Sequence, residues 1–144
     1  MIVQAICNSF KQELCVAGHD ITSDTFMLAL FRRAADIVGV FNASTTNYSE
    51  MGADEVTGDG YTAGGNVLAG ATIQLVDGVV IIDFDDTAFT DASFTASGAL
   101  IYNATKDGKA LAVWDFGADR RVALNTFTVQ MPVAVPATAL LRLS

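Results

Sequence analysis

Four carboxylates crowd one short stretch of the chain: Asp83, Asp85 and Asp86, with Asp91 shortly after. On an extended strand Asp83 and Asp85 project to one face, and Asp86 and Asp91 can return from the loop that follows. Calcium takes roughly six to eight oxygen ligands, several of them carboxylates, so this grouping has the right donor type. Its spacing lacks the glycine and the terminal bidentate glutamate of a calcium loop. The plainer reading is a solvated strand end whose acids discourage pairing with other strand edges. That reading is the expectation, with no metal and no cofactor assigned.

The other candidates for chemistry are weaker. His19 is the single histidine and lies between Gly18 and Asp20, where an exposed loop position is expected. A Ser-His-Asp or Cys-His arrangement would have to use it, and no G-x-S-x-G motif accompanies it. The run Gly58-Asp59-Gly60-Tyr61-Thr62-Ala63-Gly64-Gly65 looks like a phosphate cradle only at first sight. No lysine follows the last glycine, and Asp59 would repel phosphate, so turns requiring positive φ explain it better. Paired carboxylates for glycoside hydrolysis lack support, with three glutamates and no aromatic sugar platform. Trp114 alternates with Ala112 and Phe116 and reads as core. Cys7 and Cys15, eight residues apart, would stand about 12 Å apart on a helix, beyond the roughly 7 Å reach of a disulfide. Free thiols are expected, and no catalytic residue is assigned.

The elements that must position these residues are mostly strands. Asp77-Gly78 sits between two β-branched runs, and Lys106-Asp107-Gly108-Lys109 repeats the device, both strong hairpin signals. Phe127, Val129, Met131 and Val133 alternate with Thr128, Gln130 and Pro132 as a half-buried strand, and ALLRLS closes the chain as another. Phe26, Leu28 and Leu30 alternate in a strand reaching about Arg33, although Ser23 or Asp24 could instead cap a helix to Val38. Residues 2–16 read as one amphipathic helix, with Ile6, Phe10 and Leu14 four apart and Gly18 as the stop. Its apolar stripe must lie against the chain's own sheet or against a neighbouring subunit. Residues 42–66 form a long surface loop rich in Asn, Ser, Thr and Gly.

Seven or eight short strands separated by turns indicate a mainly β, single antiparallel β-sandwich, jelly-roll-like, with an N-terminal helix or arm over residues 1–18. A length of 144 residues suits one domain. No apolar run reaches the roughly 18 residues that mark a membrane span. The opening residues lack a basic secretory leader, so synthesis and folding in a cytoplasm are expected.

Charge separates partners. Between Arg33 and Lys106 the chain has ten acids and no base, so this interval exceeds the whole net charge of −8 and the last part of the chain offsets it by two positive charges. Such a surface repels a phosphate backbone, so nucleic acid is a poor partner. Arg32-Arg33 and Arg120-Arg121 are suited instead to an acidic face of a neighbouring copy, setting orientation more than affinity.

The residues also carry a resemblance. Tyr48, Glu55-Val56, Gly58, Gly60-Tyr61 and Gly64-Gly65 come first in the chain, then ASFTA from Ala92 and GALIYN from Gly98. Ala112-Val113, Asp115-Phe116-Gly117 and Thr126-Phe127-Thr128-Val129 continue the pattern. So do Ser9-Phe10-Lys11-Glu13-Leu14, Asp24-Thr25-Phe26 and Leu28-Ala29-Leu30 nearer the start. Together they resemble a family of small structural proteins of tailed bacteriophages, over nearly the whole chain. Two positions depart from it: Ser97 stands where many relatives have a basic residue, and Phe89 where a tryptophan is common.

The resemblance implies a virion structural protein assembled in the bacterial cytoplasm, with no catalytic residues. Within that class the expectation is a capsid decoration or cement protein bound between major capsid subunits, associating with itself, with trimers favoured. The alternatives are a neck, tail or baseplate component and, from another class, a calcium-dependent carbohydrate-binding module. The expected interface residues are Phe10, Leu14, Arg32, Arg33, Arg120 and Arg121.

Overall fold

The computed structural model describes residues 2–32 and 39–144. The eight strands are β1 (Ala5–Ile6), β2 (Phe26–Phe31), β3 (Asn66–Val67), β4 (Thr72–Val76), β5 (Val79–Asp83), β6 (Thr87–Asn103), β7 (Lys109–Val129) and β8 (Leu141–Leu143). Among the described residues there are also one α-helix, α1 (Asn8–Leu14), and two short 3-10 turns, Tyr48–Glu50 and Gly52–Asp54. The strands form two antiparallel sheets, one ordered β1-β7-β6-β2-β3 and the other β4-β5-β8. This is the mainly β, two-sheet sandwich with one helix that the turn pattern indicates.

Both Asp-Gly turns lie where expected. Asp77 and Gly78 have φ of 49° and 79°, and Asp107 and Gly108 have 57° and 77°. Between Val76 and Val79 two successive positive φ values match the right-handed twist of the flanking strands, so Asp77-Gly78 sets its hairpin locally. Asp107-Gly108 instead ends a longer turn, residues 104–108, between Asn103 of β6 and Lys109 of β7. The strand reading of Phe26–Phe31 also holds over the competing helix, because β2 is central and buried on both faces. Phe26 tilts against Phe84 beyond β5, at 5.6 Å between ring centroids, which brings the second sheet over the face of Phe26, Leu28 and Leu30. On the opposite face Phe31 stacks on Phe41 at 4.6 Å and Tyr102 on Tyr48 at 4.5 Å. Residues 41–66 therefore cover that face, with Met51 and Val56 buried beneath them.

β6 and β7 form a hairpin of 17 and 21 residues, longer than the short strands the turn spacing suggests. Bulges interrupt its register. Between the pairs Ala96↔Arg120 and Gly98↔Asp115, β7 spends several more residues than β6, and a bulge of this kind bends the ribbon and raises its twist. β7 ends at Val129, so Met131 and Val133 lie in an irregular segment rather than in the expected strand.

The N-terminal helix is shorter than the expected span of residues 2–16. Ala5 and Ile6 pair with Val113 and Ala112 on β7, Cys7 N–H donates to Leu111 O, and Val3 N–H donates to Phe41 O. The open edge of β7 offers backbone partners there, and β-branched Ile2, Val3 and Ile6 suit an extended chain. Only from Asn8 does the helix begin, and Phe10 at its centre is fully buried against the molecule's own core.

Candidate interaction surfaces

The four aspartates are spread out. Asp83 ends β5 and is half-buried, while Asp85 lies against the Gly70 backbone in the open. Asp86 Oδ1 accepts from Met131 N–H at 2.7 Å, and Asp91 sits in a β6 bulge with φ of 49°. Because β5 stops at Asp83, the same-face geometry expected of Asp83 and Asp85 does not form. Among the described residues there is no group of three or more His, Cys, Asp or Glu side chains placed to hold a metal ion. Burial chiefly, offset in part by the Phe84 N–H and reinforced by the charges of Asp85 and Asp86, raises the Asp83 carboxyl above the usual range. Asp86 has a tying role: it fixes the chain just past β7.

His19 corrects the expectation of an exposed loop histidine. Its ring is buried, packed edge-on against Phe10 at 5.0 Å. Asn103 Oδ1 accepts from Lys106 N–H, and its Nδ2 donates to Asp24 Oδ2 at 2.8 Å, which fixes the amide orientation. The same Nδ2 then donates to His19 Nδ1 at 3.0 Å, so Nε2–H donates to Glu13 Oε1 at 3.2 Å. Lys109 Nζ meets the other Glu13 oxygen at 3.3 Å. Both imidazole nitrogens are thus in use, and the cluster fastens α1 to the β6–β7 turn. Asp24 is held below the ordinary carboxylate range by the Asp20 N–H first and by Asn103 second. Cys7 and Cys15 are free thiols; burial pushes Cys7 up to about 12, whereas Cys15 is exposed.

The most ordered polar cluster is one that spacing did not reveal. Glu55 Oε1 accepts from Tyr61 O–H at 2.6 Å and from Gly64 N–H at 2.7 Å. Its Oε2 accepts from Tyr48 O–H at 2.7 Å. Tyr61 O in turn accepts from Leu30 N–H at 3.0 Å, and Tyr102 O–H donates to Gly64 O at 2.7 Å. One carboxylate therefore clasps three points of the 48–64 segment to β2 and β6. Burial first, then the Glu55 hydrogen bond, keeps the Tyr61 and Tyr48 phenols protonated well above their usual range; burial pushes Tyr102 up to about 12. The glycine run serves this clasp. Gly65, at φ 80°, passes so close to β2 that a Cβ would collide with the Leu28 carbonyl oxygen. The only signal in the sequence was the resemblance itself, whose residues Tyr48, Glu55, Tyr61 and Gly64-Gly65 are the parts of the clasp.

The expected interface residues divide. Phe10 is fully buried, so it belongs to the core and not to an interface; Leu14 is half-buried against the same core. Arg32 donates from its guanidinium to Ala53 O at 3.1 Å and is partly covered. Arg33 lies outside the described residues. Arg120 and Arg121 are exposed on β7, where Arg120 reaches back to Phe116 O at 3.3 Å. Nearby, buried Ser97 donates to Asp119 Oδ1 at 2.6 Å, so this position faces a carboxylate through its hydroxyl.

Trp114 is partly buried and packs against the core, as its alternation suggests, without being enclosed by it. It lines an open hollow of about 370 Å³ with Phe116, Phe127, Asp115, Arg120 and Gln130. Large apolar side chains also stand in solvent at Leu75 (73 %), Ile73 (49 %) and Leu124 (88 %). No known family model matches the chain, and no curated protein or solved structure is detectably similar to it.

Proposed function

We propose that the chain is a structural protein of a tailed bacteriophage particle, and within that class a head decoration or cement protein binding between major capsid subunits. The observation that carries this reading is where the resembling stretches fall. Tyr48, Glu55, Tyr61 and Gly64-Gly65 build the clasp, and residues 92–103 with 112–117 build the central hairpin. The resemblance thus covers the residues that make this fold rigid. Supporting it, the polar clusters are internally satisfied, while apolar side chains at Leu75, Ile73 and Leu124 and the cations Arg120 and Arg121 are presented outward.

A protein of this kind acts without chemistry. Binding only to the assembled shell, it stabilises that shell by mass action. Many copies each adding a modest interface give the particle large cumulative stability. The acidic surface limits non-specific attachment to the packaged nucleic acid.

The test is quantitative mass spectrometry of purified particles of the phage that encodes the chain, joined to a reconstruction of the virion. Hundreds of copies on the head are expected. A handful of copies at the neck or tail would move the protein to that place, and its absence from particles would end the structural reading.

A further inference from the structure

The two sheets have four outer strands, and three of them are poor templates for another chain. β1 and β3 are two residues each, and β8 is three residues carrying Arg142. β4 differs: it has five residues, Thr72 to Val76, and no charge, proline or bulge. The chain is uncharged from Gly60 through Val76, in a protein of net charge −8. An edge of that length ordinarily carries a lysine, a proline or a bulge to prevent pairing. The register also places Ile73 opposite Ile82 and Leu75 opposite Val80, on the face that buries Ile82 and Leu141 in the core. That apolar face therefore runs past the core to the edge, where Ile73 is 49 % and Leu75 73 % exposed.

We propose that β4 is the contact between two copies of this chain, which pair antiparallel across a two-fold axis at Gln74. Three arguments favour a second copy over a different protein. Along this edge the paired residues set no two charges opposite each other, since each Asp77 falls opposite an alanine, Ala71. Centring on Gln74 also sets Ile73 against Leu75 of the other copy, and Leu75 against Ile73, on the same face of the joined sheet. Directly opposed side chains of this kind are what stabilise a sheet. Finally, the pattern is self-complementary, as an isologous two-fold contact requires. The product is a continuous six-stranded sheet, β8-β5-β4 and its symmetry mate, whose remaining edges are the short β8 strands. Pairing therefore closes at two copies. This inference stands apart from the virion reading and differs from the trimer that the resemblance implies, because an edge strand pairing with itself generates a two-fold.

The test uses the purified full-length protein in light scattering and sedimentation across a concentration series. A species of twice the 15.1 kDa protomer mass is expected. Leu75→Lys, at an exposed position that leaves the core intact, should weaken it by roughly tenfold or more, while Leu124→Lys on the distant β7 bulge should not. Circular dichroism checks that both variants keep the fold. Independently, Gln74→Cys in a Cys15→Ser background should cross-link into covalent dimers on mild oxidation, since the two positions face each other. A strict monomer at every concentration, a trimer, or a dimer indifferent to Leu75→Lys and uncrosslinked by Gln74→Cys would each overturn the proposal. A monomer whose β4 is covered by another protein in the particle would assign the edge to that partner instead.

Discussion

Tyr61 places one hydroxyl between a carboxylate and a backbone amide, donating to Glu55 and accepting from Leu30. Tyr61→Phe removes both bonds yet keeps the ring packed against Phe89 and Phe94. It leaves a strand N–H without its acceptor, so a loss of about 1–3 kcal/mol is expected. Urea denaturation at unchanged m-value measures it, and a loss under about 0.5 kcal/mol would mean the clasp is ornamental. Asp83 gives a prediction of the opposite sign. Its carboxyl is raised in the folded protein, so stability is fully present below the unfolded value of about 3.9 and declines as pH rises through the folded one. Above that window the ionised Asp83 is a burden, mainly through burial and then through Asp85 and Asp86. Asp83→Asn should therefore raise the melting temperature at pH 7 and lose that advantage near pH 3. An equal shift at both pH values would rule out the titration as the cause. Neither effect was legible from spacing, because each depends on what a neighbouring strand or segment brings within reach.

The elements show a cleaner division between local and distant causes. Asp77-Gly78 was readable because a two-residue turn needs only its own positive φ values, and an added Cβ at Gly78 meets open space. Gly65 has a similar φ, but its neighbour is the Leu28 carbonyl on another strand. Gly78→Ala should accordingly cost about 1–2 kcal/mol, the strain of an L-residue in the left-handed region. Gly65→Ala adds a backbone collision, and a loss beyond about 4 kcal/mol is expected. Thermal unfolding of the two variants compares them directly, and equal losses would show that β2 yields at Leu28. The N-terminus illustrates the converse. Ile6, Phe10 and Leu14 have a helical period, yet Ala5 and Ile6 are strand because β7 presents an open edge beside them. A period describes what a segment can do alone, and a tertiary hydrogen-bonding edge outweighed it.

At the scale of the whole molecule, the aspartates that first suggested a metal site occupy separate roles: a half-buried strand end, a contact with Gly70, a tie to Met131 and a bulge. Millimolar calcium should thus leave the melting temperature unchanged, and a rise on titration, reversed by a chelator, would restore the calcium reading. The sequence by itself determined the β class, the tight hairpin at Asp77-Gly78, the strand at Phe26–Phe31 and the free thiols. Each of these follows from side-chain alternation or from the φ demands of adjacent residues, which act within a few positions. Tertiary structure alone decided that His19 is buried, that Phe10 is core and that Glu55 holds three points of one segment. It also decided that β4, whose residues read as an ordinary apolar strand, is left at an edge. Which face of a strand finds a partner depends on sheet order, and sheet order is a property of chain segments far apart in sequence.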